Sequence, residues 1–264
     1  MRWPPWSSRD PDEKKSVNWT DTLNATDWTH YTDPHNVIPV VLLTATVLGS
    51  YSFYRSYLRR IPQATLIQPA FWRKRSLFGK VTKVGDGDGF RLFHMPGGRL
   101  AGWEWLPWRK VPEGRTGLKD NTVSIRIAGI DAPEGAHFGH PAQPYSKEAL
   151  DWLTGYILHR RVRAYIYRKD RYDRAVATVY VRRWLLRRDV GYRMLKLGLA
   201  TVYEAKTDVE FGPGLEERYR RAELWAKTRR KGLWEGANEK AFETPRQYKT
   251  KHQKSELDSH WFDL

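Results

Sequence analysis

The fold is decided by a ten-residue stretch that reads Ile125-Arg126-Ile127-Ala128-Gly129-Ile130-Asp131-Ala132-Pro133-Glu134. Its first half alternates apolar and polar residues, which is the pattern of a β-strand. The strand leads into a turn that carries Asp131 and Glu134, and Pro133 between them fixes one backbone angle. The stretch predicts an arginine on a strand and two carboxylates just past its end, aimed into a cleft. The plainer alternative is a surface strand followed by an ordinary Asp-containing turn.

The composition favours a polyanionic partner. Lys and Arg number 46 against 30 Asp and Glu, which gives a net charge of +16. Such an excess suits nucleic acid or an anionic membrane surface. The 13 Trp and 14 Tyr residues add rings on which bases can stack. Because the chain has no Cys, disulfides, a thiolate zinc site and a thiol nucleophile are excluded, and any metal must be bound by oxygen or imidazole.

The first part of the chain divides into a polar arm and an apolar segment. Residues 1–36 are polar and interrupted by prolines, which predicts a disordered arm. Asn18 and Asn24 begin N-glycosylation patterns, whose use would require a secretory lumen. Residues 37–54 are about 18 apolar or small uncharged residues, near the lower limit for a membrane-spanning helix. We therefore expect a single transmembrane helix there.

The flanking charges orient this helix. Three arginines follow it directly, at Arg55, Arg59 and Arg60, whereas no Lys or Arg lies between Ser16 and Tyr54. The positive-inside rule then places the large C-terminal part on the cytosolic or matrix side of the membrane. Two alternatives are a core helix of a soluble domain and the signal segment of a secreted protein.

A basic linker, residues 55–77, leads to a second region that is rich in strand patterns. Residues 78–84 and 90–93 alternate as strands on either side of a glycine turn that holds Asp86 and Asp88. Such a turn is also common in ordinary hairpins. An insertion follows at residues 94–121, rich in Gly, Pro and Trp, which either binds substrate or packs against the rest of the protein.

The remaining elements complete a small α+β domain. We expect a helix from residue 147 capped by Ser146, and strands at residues 162–167, 176–181 and 201–203. Helices are predicted at residues 190–197 and 216–231, before a flexible tail at 237–264. Short strands with interposed helices suit an OB-type five-stranded Greek-key barrel with about three packed helices. Its basic connection at residues 168–174 is either a solvated hairpin tip or turns Arg174 towards the carboxylates.

Four motifs in series carry a family resemblance. They are Gly87-Asp88, then Arg126 to Glu134, then Asp170-Arg171-Tyr172-Asp173-Arg174, and finally the stretch from Ala226 to Trp234. Their order and spacing, over roughly residues 78–236, resemble the staphylococcal nuclease (thermonuclease) family. The apolar segment in front resembles its membrane-anchored fungal branch, whose members are assigned to mitochondria.

The resemblance implies a calcium-dependent endonuclease that hydrolyses DNA and RNA to 3′-phosphates. It implies catalytic roles for Arg126, Glu134 and Arg174. It further implies that Ca²⁺ is bound by Asp88, Asp131 and the backbone carbonyl of Ala132. Arg171 and Tyr172 are additional candidates for contact with the substrate phosphate. Two departures from the family pattern are Gly89, where threonine is frequent, and the length of the 94–121 insertion.

The residue types fit this chemistry. Phosphodiester hydrolysis builds negative charge on the phosphorus oxygens, which a hard cation and guanidinium groups stabilise. Calcium accepts carboxylate, carbonyl and water oxygens in loose geometry, and a glutamate can take a proton from the attacking water. The alternative from another class is a membrane-tethered nucleic-acid-binding module without catalysis. Members of that kind lose the arginines or carboxylates that this chain retains.

Overall fold

A computed structural model describes most of the chain as two compact units, residues 1–56 and 57–264. The described residues are Thr20, Ala25, 33–112, 115–118, 120–136, 141–203, 211–212, 214–235, Pro245 and 247–248. Most of the predicted arm at 1–36, including Asn18 and Asn24, and nearly all of the predicted tail at 237–264, lie outside these residues. The last three residues of that arm are helical and not disordered. The proposed domain limits stay predictions.

The first unit contains helix α1, Pro34–Phe53, which continues as a π-helical segment at Tyr54–Leu58. Asp33 caps its start, accepting a hydrogen bond from the backbone N–H of His35 at 3.0 Å, and Pro34 occupies the first helical position. None of its residues is buried. Pro34–Leu58 is long and apolar enough to cross a membrane, and its apolar window has a mean hydropathy of 1.6.

The second unit is built on a closed barrel. Its strands are β1 Ser76–Val84, β2 Gly89–His94, β3 Val123–Ile127, β4 Ile130–Asp131, β5 Arg161–Lys169, β6 Ala175–Arg183, β7 Leu186–Asp189 and β8 Thr201–Val202. The strands pair in the order β3-β2-β1-β5-β6-β7, and a parallel pairing between β3 and β6 closes the barrel of β1, β2, β3, β5 and β6. This confirms the predicted OB-type five-stranded barrel.

Helices pack on the barrel. They are α2 Arg115–Leu118, α3 Ser146–Ile157, α4 Val190–Leu197 and α5 Leu215–Thr228. Asp189 caps α4, and Gly198 ends it in the left-handed conformation. The prediction that Ser146 caps α3 is wrong: Tyr145 occupies the cap with φ 65° and makes no side-chain cap bond, and Ser146 is the first helical residue.

One hydrophobic core joins the barrel interior to the helices. Inward positions of the strands, such as Val81, Leu92 and Ile125, are fully buried, as are Leu153 of α3 and Met194 of α4. Because successive strand residues point to opposite faces, the alternating pattern read from the sequence selects this inner face. The barrel is thereby a rigid scaffold for the turns at its ends.

The segment after residue 57 packs on this scaffold. Ile61, Ala64 and Ile67 are buried in the core. The backbone N–H of Ile61 donates to His94 Nδ1 at 2.9 Å. The Arg60 guanidinium lies 3.9 Å from the centroid of the Phe93 ring. Residues 60–67 of the predicted basic linker are therefore packed against the barrel.

Part of the 94–121 insertion is also integrated. Trp103 packs edge-on against Phe93, with ring centroids 5.8 Å apart, and its indole N–H donates to the Pro96 carbonyl at 2.9 Å. Glu104 forms ion pairs with Lys80 at 3.2 Å and Arg161 at 2.9 Å. The question left open by the sequence is answered for these residues, which pack against the barrel.

Candidate active site

Two turns meet at one end of the barrel. The first joins β1 to β2 and contains Gly87 and Asp88; the second follows β4 and contains Ala132. A Cβ added at Gly87 would lie 2.7 Å from the Cβ of Ala132, so only glycine permits this approach of the two turns. The glycine turn is therefore more than a hairpin connection, because it brings Asp88 beside the residues that follow β4.

Arg126 links the acidic groups of the two turns. It lies on β3 opposite Gly89 of β2. Its Nε donates to Asp88 Oδ2 at 3.1 Å, and its Nη2 lies 3.7 Å from Asp131 Oδ1. All three side chains are buried, and the guanidinium also lies over the ring of Tyr203 at 4.7 Å. The carboxylates predicted from separate motifs converge on one arginine.

Asp131 and Ala132 are fixed by backbone contacts. Asp131 pairs with Thr201 in the short β4–β8 ladder, and its carbonyl accepts a hydrogen bond from the Thr201 hydroxyl at 3.3 Å. Ala132 is 4% exposed. Because β8 directly follows α4 along the chain, the position of Asp131 depends on an element that is distant from it in sequence.

Glu134 is held by a residue that the sequence analysis missed. Its backbone N–H donates to Gln143 Oε1 at 2.9 Å, and its carbonyl accepts from the Gln143 backbone N–H at 2.9 Å. Gln143 is buried, whereas Glu134 is partly exposed. No sequence signal could have found Gln143, because a lone glutamine in a loop matches no motif.

Arg174 directly precedes β6 and lies near two further carboxylates, those of Asp170 and Asp86. Its Nε donates to Asp170 Oδ2 at 2.8 Å, and its Nη1 lies 4.0 Å from Asp86 Oδ2. The Asp170 Oδ1 atom also accepts from the backbone N–H of Arg174 at 2.8 Å. Although burial opposes ionisation, these bonds to Arg174 lower the pKa of Asp170. Arg174 is thus anchored on the acidic side of the barrel end.

Arg171 and Tyr172 occupy the exposed tip of the same connection. The Arg171 guanidinium lies 4.8 Å from the Tyr172 ring centroid, and that of Arg174 lies 5.6 Å from it. Tyr172 is 62% exposed. Within the part of the chain that the structure describes, the Arg171 guanidinium and the Tyr172 ring contact each other at this exposed tip, and their contact with substrate stays a prediction.

Asp86 carries the clearest electrostatic signal at this end of the barrel. The Asp86 side chain is 52% exposed, and its partial desolvation, followed by the negative charge of Asp88, raises the pKa of Asp86 to about 6. Glu134 raises this pKa further, while Arg174 and a backbone hydrogen bond from Gly89 lower it. Asp86 therefore lies near Asp88, Glu134 and Arg174. More carboxylates than arginines lie at this end of the barrel.

Comparison with known proteins gives the family. Residues 124–236 match the model of the family described as "Staphylococcal nuclease homologue". Curated relatives named "Probable endonuclease lcl3" are 60% identical over 257 residues in Botryotinia fuckeliana, covering 95% of this chain and 97% of the relative, and 63% identical over 241 residues in Sclerotinia sclerotiorum, covering 91% and 90%. A relative of that name from Pyricularia oryzae is 59% identical and covers 96% of both chains.

The chain belongs to the staphylococcal nuclease family. It is a hydrolase of the endonuclease class, which acts on phosphodiester bonds. The family resemblance drawn from the four motifs is confirmed.

The residues of this staphylococcal nuclease homologue offer oxygen ligands for a cation. Asp88 and Asp131 share the Arg126 guanidinium, and Asp86 adds a further carboxylate near Arg174. Within the described residues, no three Asp, Glu or His side chains already stand at metal-binding spacing. The donor set fits a hard divalent cation that takes two carboxylates, a carbonyl and waters.

The absence of a side chain at Gly89 is related to the position of the Asp86 carboxylate. A side chain at this position would collide with Oδ1 of Asp86, whose carboxylate folds back over the turn. The departure from the threonine common in staphylococcal nuclease relatives therefore accompanies a particular placement of Asp86. In this chain the turn is closed by a hydrogen bond from the Gly85 N–H to the Gly89 carbonyl at 3.0 Å.

Proposed function

We propose that this staphylococcal nuclease homologue is a calcium-dependent, membrane-anchored endonuclease that cleaves DNA and RNA. The observation that carries the catalytic part is the convergence of Asp88 and Asp131 on the Arg126 guanidinium, at 3.1 and 3.7 Å. Asp88, Asp131 and Arg126, from separate parts of the chain, thereby bring buried charges of both signs to one point, where a scissile phosphate can bind. The net charge of +16 supports a polyanionic substrate.

In this proposal each residue has one role. Arg126 and Arg174 bind the phosphate oxygens, since the planar guanidinium donates two parallel hydrogen bonds that lysine cannot reproduce. Glu134 takes a proton from the attacking water, or orients that water for in-line attack. Arg171 and Tyr172 contact a neighbouring phosphate of the substrate from the exposed tip of their connection.

Calcium would be held by Asp88, Asp131 and the carbonyl of Ala132. When bound, the ion supplies Lewis-acid stabilisation of charge on the phosphate. The support is the oxygen-only donor set, together with the raised pKa of Asp86, which a nearby cation would relieve. Arg126 is positioned to remain in contact with the same carboxylates.

A plasmid-nicking assay with calcium or a chelator tests this part. We expect nicking with calcium, loss of nicking with the chelator, and loss of the calcium response in Asp131→Asn. Asp173→Asn is the matched control, because Asp173 lies in an exposed turn and its one ion pair among the described residues is with Lys169, at 2.7 Å. Equal nicking in chelator would contradict calcium dependence.

Helix α1 supports the membrane part of the proposal. Its residues are exposed, its length and hydropathy suffice for a span, and Arg55, Arg59 and Arg60 follow it. We infer a single-pass anchor with the nuclease unit on the cytosolic or matrix side. The mitochondrial assignment rests on the resemblance to the anchored fungal branch, and organelle fractionation tests it.

Carbonate extraction of membranes tests the anchor. We expect the full chain to stay in the membrane pellet, and Leu43→Arg to be released in part, since an arginine at the centre of a span costs roughly 2.5–3.5 kcal/mol. Leu66→Arg is the matched control, because Leu66 is 58% exposed and lies outside the helix. Release of the unaltered chain by carbonate would contradict a spanning helix.

A further inference from the structure

The hairpin between β6 and β7 ends in an exposed apolar tip. Trp184 and Leu185 connect the two strands, and Leu186 begins β7. These side chains are 96%, 84% and 58% exposed, respectively. Three large apolar residues in succession at a protruding point are unlike scattered surface leucines, and such patches mark interaction sites.

Four arginines flank this tip, two on each strand: Arg182, Arg183, Arg187 and Arg188. Arg182 and Arg187 stand directly opposite each other in the β6–β7 register. Like charges in that position repel, and neither forms an ion pair within the part of the chain that the structure describes. Arg183 instead lies 4.8 Å from the Tyr156 ring centroid. An anionic partner would relieve the repulsion between the facing arginines.

The fold itself does not require these residues. Two-residue hairpin loops favour Gly, Asn or Asp, because their central residues adopt positive φ. Here Trp184 occupies that region with φ 56°. Its side chain is almost fully exposed among the residues that the structure describes, whereas the other end of β7 is fixed by the buried cap Asp189. The tip therefore carries its apolar residues against the local backbone preference.

We propose that this hairpin tip docks on an anionic lipid bilayer. Trp184, Leu185 and Leu186 insert at the boundary of headgroups and acyl chains, and the exposed Arg182 and Arg187 pair with the lipid phosphates. Nucleic acid is the less suitable occupant, because bases stack on aromatic rings while the two leucines offer no π-face. Tryptophan, in contrast, prefers the membrane interface.

The site orients the nuclease. Arg174 directly precedes β6 and Trp184 directly follows it, so the tip and the catalytic end lie at opposite ends of one nine-residue strand. At about 3.3 Å per residue this strand separates them by up to about 26 Å. A docked tip leaves the end with Arg126 and Asp88 away from the lipid. The inference needs neither calcium nor catalysis.

A single fluorescent label tests the docking. Because the chain contains no Cys, Leu185→Cys gives one thiol for an environment-sensitive dye. The labelled full chain is reconstituted in phosphatidylcholine vesicles and in vesicles that also contain phosphatidylserine, each with and without an acyl-chain quencher. We expect blue-shifted emission and quenching with phosphatidylserine, and their loss in high salt. With Arg182→Gln and Arg187→Gln together, the insertion equilibrium should fall on the order of tenfold.

Leu224→Cys is the matched control. Leu224 is 59% exposed on α5, one helical turn from Arg220, Arg221 and Lys227, so it controls for basic surroundings without an apolar hairpin tip. Its label should report water in both kinds of vesicle. Emission from position 185 that remains water-like with phosphatidylserine, or that responds to plasmid DNA and not to lipid, would overturn the proposal. Because reconstitution and activity are measured separately, failure of the anchor or of catalysis is distinguishable from failure of the tip.

Discussion

Glu134 combines a partly exposed side chain with a fixed backbone. Its N–H and carbonyl are both hydrogen-bonded to Gln143 at 2.9 Å, so the residue is positioned from the main chain. A base that must reach a water molecule benefits from a backbone that is fixed before substrate binds. Substitution of the carboxylate leaves these two backbone bonds in place.

Glu134→Gln should therefore reduce turnover without unfolding the protein. We expect nicking of plasmid DNA with calcium to fall roughly a hundred- to ten-thousandfold, the range for loss of a general base. The melting temperature should be unchanged, because the backbone bonds to Gln143 remain. Near-full activity of this variant would contradict the role assigned to Glu134.

Gln143 is a positioning residue. Gln143→Met keeps the length of the side chain but removes the oxygen that accepts from the Glu134 N–H, so kcat should fall roughly tenfold to a hundredfold with KM little changed. Gln143→Glu keeps that acceptor and should restore most of kcat. Steady-state kinetics on a short DNA substrate measures both. An equal loss in the two variants would indicate that only packing matters at this position.

The site residues found from the sequence share one property: each belongs to a strand end or turn whose local pattern is recognisable. Arg126 and Asp131 lie in an alternating run and its turn, and Asp88 lies among glycines. Gln143 lacked any such pattern, because its importance arises from a contact across a loop. The close placement of Asp86 over Gly89 was likewise hidden, since it depends on side-chain direction within the turn.

At the scale of elements, the alternation of apolar residues predicted the long strands well. β1 and β5 bury mainly one face, so their burial follows the period of two. Most residues of β2, β3 and β6 are buried on both faces, and these strands were found from their β-branched and aromatic residues. β7 was not predicted, because it is a four-residue edge strand whose first two residues are exposed. The pairing of β4 with β8 joins elements of two residues each, which are too short to show a period.

His94 connects two elements, β2 and the segment that precedes β1. Its Nδ1 accepts from the Ile61 N–H, which requires the neutral ring. Burial, and then the charge of Arg60, lowers the pKa of His94 from 6.5 to about 4. The unfolded chain therefore binds more protons than the folded chain between these values. The stability that depends on His94 is complete above about pH 6.5 and is lost as the pH falls towards 4.

His94→Asn should remove this acid sensitivity. The asparagine oxygen can accept from the Ile61 N–H but does not titrate. We expect the His94-dependent loss in the free energy of unfolding, about 2 kcal/mol between roughly pH 7 and pH 5, to disappear in the variant. Urea unfolding at both pH values measures it, with His159→Asn as a control at a turn. Identical pH dependence of the variant and the unaltered chain would contradict the assignment.

The positive charge of the molecule lies on two different surfaces. Arg126 and Arg174 pair with carboxylates at the catalytic end of the barrel. Arg182 and Arg187 face each other at the other end of β6, with no ion pair to any described residue. A net charge of +16 alone could not separate these uses, because nucleic acid and anionic lipid attract the same side chains. Their positions along the strand separate them.

Docking of the hairpin tip should consequently leave catalysis unchanged. Because the tip and Arg174 lie at opposite ends of β6, kcat of the reconstituted full chain on a short oligonucleotide should agree within about twofold between vesicles with and without phosphatidylserine. KM should rise with phosphatidylserine, since the anionic surface repels the substrate, and this rise should diminish with salt as the charges are screened. The variant with Arg182→Gln and Arg187→Gln serves as the undocked reference. A kcat that falls with phosphatidylserine in the unaltered chain but not in that variant would mean that the lipid covers the catalytic end, because electrostatic repulsion of substrate alone cannot lower the rate at saturation.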